Sequence, residues 1–194
     1  MSQVINQHIP KTGSTSTKNF YKDCIRYGHH DNKDTLNGDI PQGAISFTIV
    51  REPLDRFVSN ITYFLSRGVT QFETSDMIDI CLNHTYTNKE MAQVLKNNNM
   101  KTEPEINMAF HSISIFHPFM NVFDENKNLR ATHLIDFKNI VSGLEKILPD
   151  YDYTKFAKIN ASRGTINIEL TEQQKADFNI KYAQDIQFYK ETGF

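Results

Sequence analysis

The hydrophobic and polar positions of this chain change period several times, and each change marks an element. A short apolar run, Val4-Ile5, leads into a Pro-Lys-Thr-Gly turn at 10–13. Residues 14–27 then read as a first helix, with Phe20, Cys24 and Tyr27 on one face. From Gly28 to Gly43 the text is polar and turn-rich, which predicts a long loop. Residues 45–50, Ile-Ser-Phe-Thr-Ile-Val, are β-branched and aromatic and predict a buried strand. Pro53 suits a first helical turn, and Leu54, Phe57, Val58, Ile61 and Leu65 recur after it at helical spacing. Helices are also expected over 75–83, 88–97 and 104–116, with breaks at the Asn97-Asn-Asn run and at Pro104. Asn126-Lys-Asn128 reads as a turn and 129–135 as a returning strand. Phe137, Ile140, Val141, Leu144, Ile147 and Leu148 outline an amphipathic helix stopped by Pro149. Thr171 and Gln174 suit a capping box for a last helix, whose Phe178, Tyr182 and Tyr189 repeat on one face. No internal repeat is visible.

Composition narrows the class without naming a function. A chain of 194 residues is one domain of ordinary size, large enough for a three-layer core. Hydrophobic residues make up 39% and charged residues 23%, both globular values. The 21 basic and 23 acidic side chains leave a net charge of 21 − 23 = −2, so no global attraction for nucleic acid exists. A local basic site can still form from Lys11, Arg51, Arg56 and Arg163. Cys24 and Cys81 lie far apart with no Cys-x-x-Cys pair, which is compatible with reduced thiols and leaves a disulfide open. Neither a signal peptide nor a transmembrane run is readable, so a cytoplasmic setting is expected.

The stretch from His8 to Ser16, His-Ile-Pro-Lys-Thr-Gly-Ser-Thr-Ser, carries the first candidate chemistry. A strand that turns sharply into a helix exposes backbone N–H groups at the positive end of the helix dipole, and both favour an anion. Lys11 adds a mobile charge, Gly13 allows close backbone approach, and Ser14, Thr15 and Ser16 add hydroxyl donors. An ordinary Ser/Thr-capped helix start is the plain alternative. The second candidate is Arg51, which follows the 45–50 strand. Open α/β sheets place their ligands at the carboxyl ends of strands, and a planar guanidinium there suits a bidentate phosphate contact. Read alone, Arg51 is equally a structural ion-pairing residue, and Ser59 an ordinary helix-surface residue.

Together these segments resemble the sulfotransferases, in particular the carbohydrate-modifying branch that includes the heparan sulfate 2-O and 6-O enzymes. That family opens with a Pro-Lys-Thr-Gly-(Gly/Ser)-Thr-Ser loop around the 5′-phosphosulfate of the donor PAPS (3′-phosphoadenosine 5′-phosphosulfate). Its second motif is a strand ending in Val-Arg-(Asp/Glu)-Pro, followed by an Arg and a Ser, and Arg and Ser hold the donor's 3′-phosphate. Both motifs occur here in the same order, as Pro10 to Ser16 and as Val50-Arg51-Glu52-Pro53 with Arg56 and Ser59, and Ser59 stands eight residues after Arg51. Asn160-Ala-Ser162-Arg163-Gly164-Thr165, then Thr171 and a helix with Tyr182, Asp185 and Phe188, is similar to the family's C-terminal pattern. There a basic loop covers the nucleotide ahead of a terminal helix. The resemblance covers both ends of the chain, and the middle, 66–128, carries no motif.

The resemblance implies a P-loop-kinase-like three-layer α/β/α fold with a central, mainly parallel sheet, as a single domain over 1–194. Its parts would be a 5′-phosphosulfate loop at 8–16, a 3′-phosphate motif at 45–59 and a nucleotide-covering loop at 160–165. The implied activity is PAPS-dependent sulfuryl transfer, of EC 2.8.2 type, to an alcohol-bearing acceptor, a saccharide first, with PAP (3′-phosphoadenosine 5′-phosphate) as product and no metal. Donor-binding positions carried over are Pro10, Lys11, Thr12, Gly13, Ser14, Thr15, Ser16, Arg51, Ser59, Arg163, Gly164 and Thr165. Lys11 would also act in catalysis, on the leaving phosphate. Without a membrane anchor, a microbial or viral source fits better than the animal Golgi. Neither nucleic acid nor a membrane is an expected partner.

Transfer to an alcohol needs a base, and imidazole titrates near neutral pH. In the carbohydrate enzymes a histidine in a Gly-His context, between the two donor motifs, takes the proton. Tyr27-Gly28-His29-His30 falls in that interval, with His29 directly after the glycine and His30 at the variant spacing. Either is also readable as a solvated loop histidine. His111 and His117 are candidates for an acceptor cleft or for satisfied polar groups near a helix end. The histidines lack the spacing of zinc sites. Two other readings stay open. A P-loop-type nucleotide kinase or NTPase is disfavoured because Lys11 precedes the glycine and Gly-x-x-x-x-Gly-Lys-(Ser/Thr) is absent. A non-catalytic PAP- or PAPS-binding module would keep the pocket without turnover.

Overall fold

The computed structural model describes residues 3–21, 25–27, 40–69, 71–84, 104–120, 122–156 and 167–194. The chain is a mixed α/β protein that divides into two compact units. The first contains Met1–Arg51 and Ile115–Ala161, and the second contains Glu52–Ser114 and Ser162–Gly193.

The first unit is built on four strands: β1 (Val4–Gln7), β2 (Ile25–Tyr27), β3 (Ile45–Val50) and β4 (His133–Asp136). They lie in the order β2-β1-β3-β4, and every pairing is parallel. Partners in register share a face, so Val4, Phe47, Ile49 and Ile135 line up on one side of the sheet. That side packs on α1 (Ser14–Phe20), through the adjoining Tyr21, and on α5 (Ile140–Ile147), through Ile140 and Leu144, with Leu148 following. Fully burying each such side chain contributes about 1.5–3 kcal/mol.

Two expectations for this unit shift. The first helix ends at Phe20 rather than running to 27, because Tyr21 already has an extended backbone (φ −99°, ψ 90°) and 25–27 form β2 beside β1. Phe20, Cys24 and Tyr27 mimic a helical face, but the free edge of β1 offers Ile25-Arg-Tyr a hydrogen-bond ladder that local spacing cannot reveal. The returning strand begins at His133, not at 129. Leu129 instead makes an isolated antiparallel bridge to Phe123 that closes the expected turn. Inside the turn the Asp124 carboxylate accepts from the backbone N–H (2.8 Å) and side-chain amide (3.1 Å) of Asn128 and from the backbone N–H of Asn126 (2.9 Å), which hold its pKa below the usual range.

The second unit is helical: α2 (Pro53–Ser66), α3 (Thr74–Asn83), α4 (Pro104–His111), α6 (Glu172–Lys181) and α7 (Ala183–Glu191). Its core joins Phe57, Ile61, Phe64, Met77, Ile78, Cys81, Met108, Phe178 and Tyr182. Glu52 caps α2 by accepting from Asp55 N (2.7 Å), and Pro53 stands in the first turn. The capping box at Thr171 and Gln174 is present with both bonds. Lys181 Nζ closes the end of α3 by donating to Cys81 O (2.7 Å) and Leu82 O (2.8 Å). Burial pushes the Cys81 thiol up to about 11.

The helix expected over 104–116 ends at His111. Past that point Tyr182 Oη donates to Ser112 O, and Arg56 Nη2 donates to Ile113 O (2.8 Å), so side chains rather than helical N–H groups satisfy these carbonyls. The last helix likewise breaks at Tyr182, although Phe178, Tyr182 and Tyr189 are all buried as their spacing requires. The helix expected over 88–97 lies outside the described residues. Among the described residues no helix is long and apolar enough to cross a membrane.

Gly143 shows how closely α5 sits on the sheet: a Cβ there would lie 2.6 Å from Ile135 Cγ2. Alanine favours helix over glycine by about 1 kcal/mol, but overpacking a buried contact costs about 1–3 kcal/mol. Gly143→Ala is therefore expected to lower Tm in a thermal melt, and an increase would contradict this packing.

Candidate functional site

At the carboxyl end of β1 the chain passes through residues 8–13 into α1. Ile9, 1% exposed, anchors this loop in the core. Thr12 Oγ1 donates to Ile9 O (2.8 Å) and closes a turn across Pro10 and Lys11. Two residues have left-handed backbones, Lys11 (φ 66°) and Gly13 (φ 80°). For lysine this region is unfavourable, so the surrounding contacts must hold it. Gly13 is the N-cap of α1 and supplies no side-chain cap, while Thr17 N and Thr17 Oγ1 return to Gly13 O at 3.1 and 3.2 Å. The first N–H groups of an α-helix have no acceptor within the helix.

The strand order puts this loop where ligands enter α/β sheets. The chain goes from β1 to β2 on one side and then crosses to β3 on the other, so β1 and β3 flank the point where the order reverses. Arg51 follows the last residue of β3. Its Nη1 donates to Lys11 O (3.2 Å), and its Cζ lies 4.5 Å from the centroid of the Phe137 ring. Phe137 also meets the loop directly: a Cβ on Gly13 would lie 3.2 Å from Phe137 Cε2 and 3.2 Å from Ile140 Cδ1. Phe137 opens a 3-10 turn (Phe137–Asn139) between β4 and α5, held where Asn139 Nδ2 donates to Asp136 Oδ2 (3.1 Å).

Of the sequence-predicted residues, the structure thus brings together Pro10, Lys11, Thr12 and Gly13 with Arg51. Ser14, Thr15 and Ser16 open α1 beside them. Ser59 lies on α2 in the second unit and is half-buried. His29, His30, Arg163, Gly164 and Thr165 lie outside the described residues. His111 ends α4 with Nδ1 bonded to Asn107 O (2.8 Å), a satisfied group near a helix end. His117 is half-buried, and burial lowers its pKa.

Arg56, read from the sequence as part of a local basic site, lies in the interior of the second unit. It is 3% exposed, its Nη2 sits 3.5 Å from Asp185 Oδ1, and Ser114 Oγ donates to the other oxygen of that carboxylate. One position of the second motif and one of the C-terminal pattern therefore meet as an interior ion pair of the second unit.

Sequence reasoning missed three residues beside this loop. Phe137 falls in the apolar stripe expected of a helix, and nothing in that stripe marks it as the ring under Arg51. Asn6 and Gln7 are each 1% exposed at the end of β1, and Asn6 Nδ2, Gln7 Nε2 and Gln7 Oε1 have no hydrogen-bond partner among the described residues. Two amides directly after an apolar run were the available signal. Among the described residues no group of three or more His, Cys, Asp or Glu could hold a metal ion. Compared with protein-family models, curated proteins and solved structures, the chain finds no match.

Placing a side chain at a left-handed position costs about 1–2 kcal/mol, and here the new methyl would also press on Phe137 and Ile140. Gly13→Ala is expected to lower stability by at least that range in chemical denaturation. A wild-type unfolding midpoint in the variant would show that the loop does not need this backbone.

Proposed function

We propose that the protein is a PAPS-dependent sulfotransferase that moves a sulfuryl group to an alcohol, with a saccharide hydroxyl as the leading acceptor. The proposed architecture is a P-loop-kinase-like three-layer α/β/α fold. The observation that carries the reading is the bond from Arg51 Nη1 to Lys11 O, which joins the two segments read as anion-binding at the strand-order reversal. With a net charge of −2, attraction for a polyanionic donor has to be local, and Lys11 and Arg51 supply two positive charges on segments in contact. Gly13 takes a left-handed backbone in this loop, and a Cβ there would lie 3.2 Å from Phe137 Cε2, so the close turn beside Arg51 favours glycine.

In this reading Pro10 to Ser16 cradle the 5′-phosphosulfate, and Arg51 with Ser59 holds the 3′-phosphate. Arg163, Gly164 and Thr165 cover the nucleotide. PAPS supplies the activated sulfuryl group. His29 or His30 takes the proton as the acceptor oxygen bonds to sulfur. Lys11 offsets the charge that builds on the departing phosphate oxygen as the sulfur–oxygen bond breaks. These roles need positioning and fixed charge and resemble those of phosphoryl transfer. The lysine's place before the glycine favours this donor over ATP–magnesium. A nucleotide kinase or NTPase and a non-catalytic PAP-binding module are the rival outcomes.

PAP at about 100 times its Kd should raise Tm by roughly 5–10 °C, and ATP–magnesium should not. The reverse pattern would favour the kinase reading. Lys11→Ala is expected to lower kcat by about 10²–10³, and Arg51→Ala to weaken PAP binding by about 10–100-fold. Wild-type kinetics in either variant would remove the site assignment. His29→Ala should abolish transfer of labelled sulfate to a sugar panel with PAP affinity nearly intact. An active His29→Ala beside an inactive His30→Ala moves the base to the neighbour. Nucleotide binding without transfer to any alcohol would support the binding module.

A further inference from the structure

The ring of Phe137 is in contact with both halves of the candidate site. It underlies the Arg51 guanidinium at 4.5 Å and would touch any side chain added at Gly13 at 3.2 Å. It reaches that place from a third segment, the 3-10 turn after β4, whose first residue follows directly from a strand paired to β3. A flexible arginine has many rotamers, and holding a phosphate bidentately requires that one of them be fixed beforehand. The hydrogen bond to Lys11 O fixes one nitrogen of the fork, and a ring face fixes the plane of the whole guanidinium.

We propose that Phe137 is a positioning residue. Its ring presets the plane of Arg51 and the backbone path at Gly13, so that loop and arginine meet a phosphorylated ligand already aligned. Its role as a preset for PAP or PAPS rests on the sulfotransferase reading, whereas the stacking itself does not. The contact separates the tasks of the two cations. Arg51, with the ring against its guanidinium, takes the binding task, and Lys11, on its left-handed backbone, takes the moving charge.

The test uses Phe137→Leu, which keeps apolar bulk and removes the π face, and Phe137→Tyr, which restores the face. In ligand-free protein the Arg51 Nε–H resonance, assigned by its loss in Arg51→Lys, should be shifted upfield by the ring current. That shift should be lost in Phe137→Leu and retained in Phe137→Tyr. With PAP as probe, Phe137→Leu should raise Kd by about tenfold, and the KM for PAPS should rise more than kcat falls. Phe137→Tyr should return both toward wild type. An Arg51 resonance that does not move in Phe137→Leu, or wild-type PAP affinity in that variant, would overturn the proposal. If Phe137→Tyr fails to recover affinity while Phe137→Leu loses it together with Tm, the ring is packing alone and the proposal is also overturned. Wild-type protein that binds no PAP would refute the sulfotransferase reading, and the resonance measurement would still decide whether the ring sets Arg51.

Discussion

A guanidinium at the carboxyl end of β3 is always charged, and in this protein it is half-buried above an aromatic ring. Such a group needs fixed acceptors and a fixed plane, and the carbonyl of Lys11 and the face of Phe137 are on hand to supply them. Three segments distant in sequence must be correctly placed for this to happen. The loop after β1 must expose the Lys11 carbonyl, which its left-handed backbone at Lys11 and Gly13 permits. The sheet must carry β3 next to β1, and β4 next to β3, in parallel register. The turn after β4 must then place Phe137 against Gly13, where a Cβ would lie only 3.2 Å from the ring. The arginine contact is thus the point at which strand order, loop strain and helix packing in the first unit all meet.

The second unit is organised around a different buried cation. Arg56 and Asp185 are both almost fully removed from water; Ser114 donates to Asp185 and Arg56 Nη2 donates to the carbonyl of Ile113, while Arg56 Nη1 has no hydrogen-bond partner among the described residues. Asn60, one turn further along α2, donates to Met108 O (2.9 Å) and to Ser112 Oγ (2.5 Å). These bonds draw the segment after α4 out of helical geometry and tie it to α2 and to the start of α7. A buried ion pair of this kind is weak evidence for extra stability, since an apolar replacement often serves as well. Losing one partner is costly, however, because the other charge is left without compensation. The pair therefore specifies how these helices meet more than it strengthens them.

Local pattern was a good guide wherever the deciding interaction was itself local. The strand at 45–50, the proline-led helix at 53–66, the capping box at Thr171 and the helix stopping before Pro149 all depend on neighbours within about one turn. The strand-to-helix loop after β1 was legible for the same reason, since an apolar run, a lysine, a glycine and a hydroxyl-rich helix start are adjacent in the chain. Local pattern failed at 25–27, at 112–114 and at Tyr182. At 25–27 and 112–114 the hydrogen bonds come from β1, from Arg56 and from the Tyr182 hydroxyl, tens of residues away.

The sequence by itself determined the chemistry on offer: a Pro-Lys-Thr-Gly turn, an arginine at the end of an apolar strand, and a parallel α/β alternation to carry them. It left open which arginine would meet the loop. Arg51 and Arg56 are five residues apart and chemically identical. Only the tertiary structure sent one to the loop of the first unit and the other to Asp185 in the second. The physical reason is register. A strand end points along the sheet toward the loop of its neighbour, whereas a residue one turn into the following helix takes the direction of that helix's buried face. Phe137 was undetermined on the same grounds. Its hydrophobicity placed it against something apolar, and only the pairing of β4 with β3 decided that this would include a charged guanidinium.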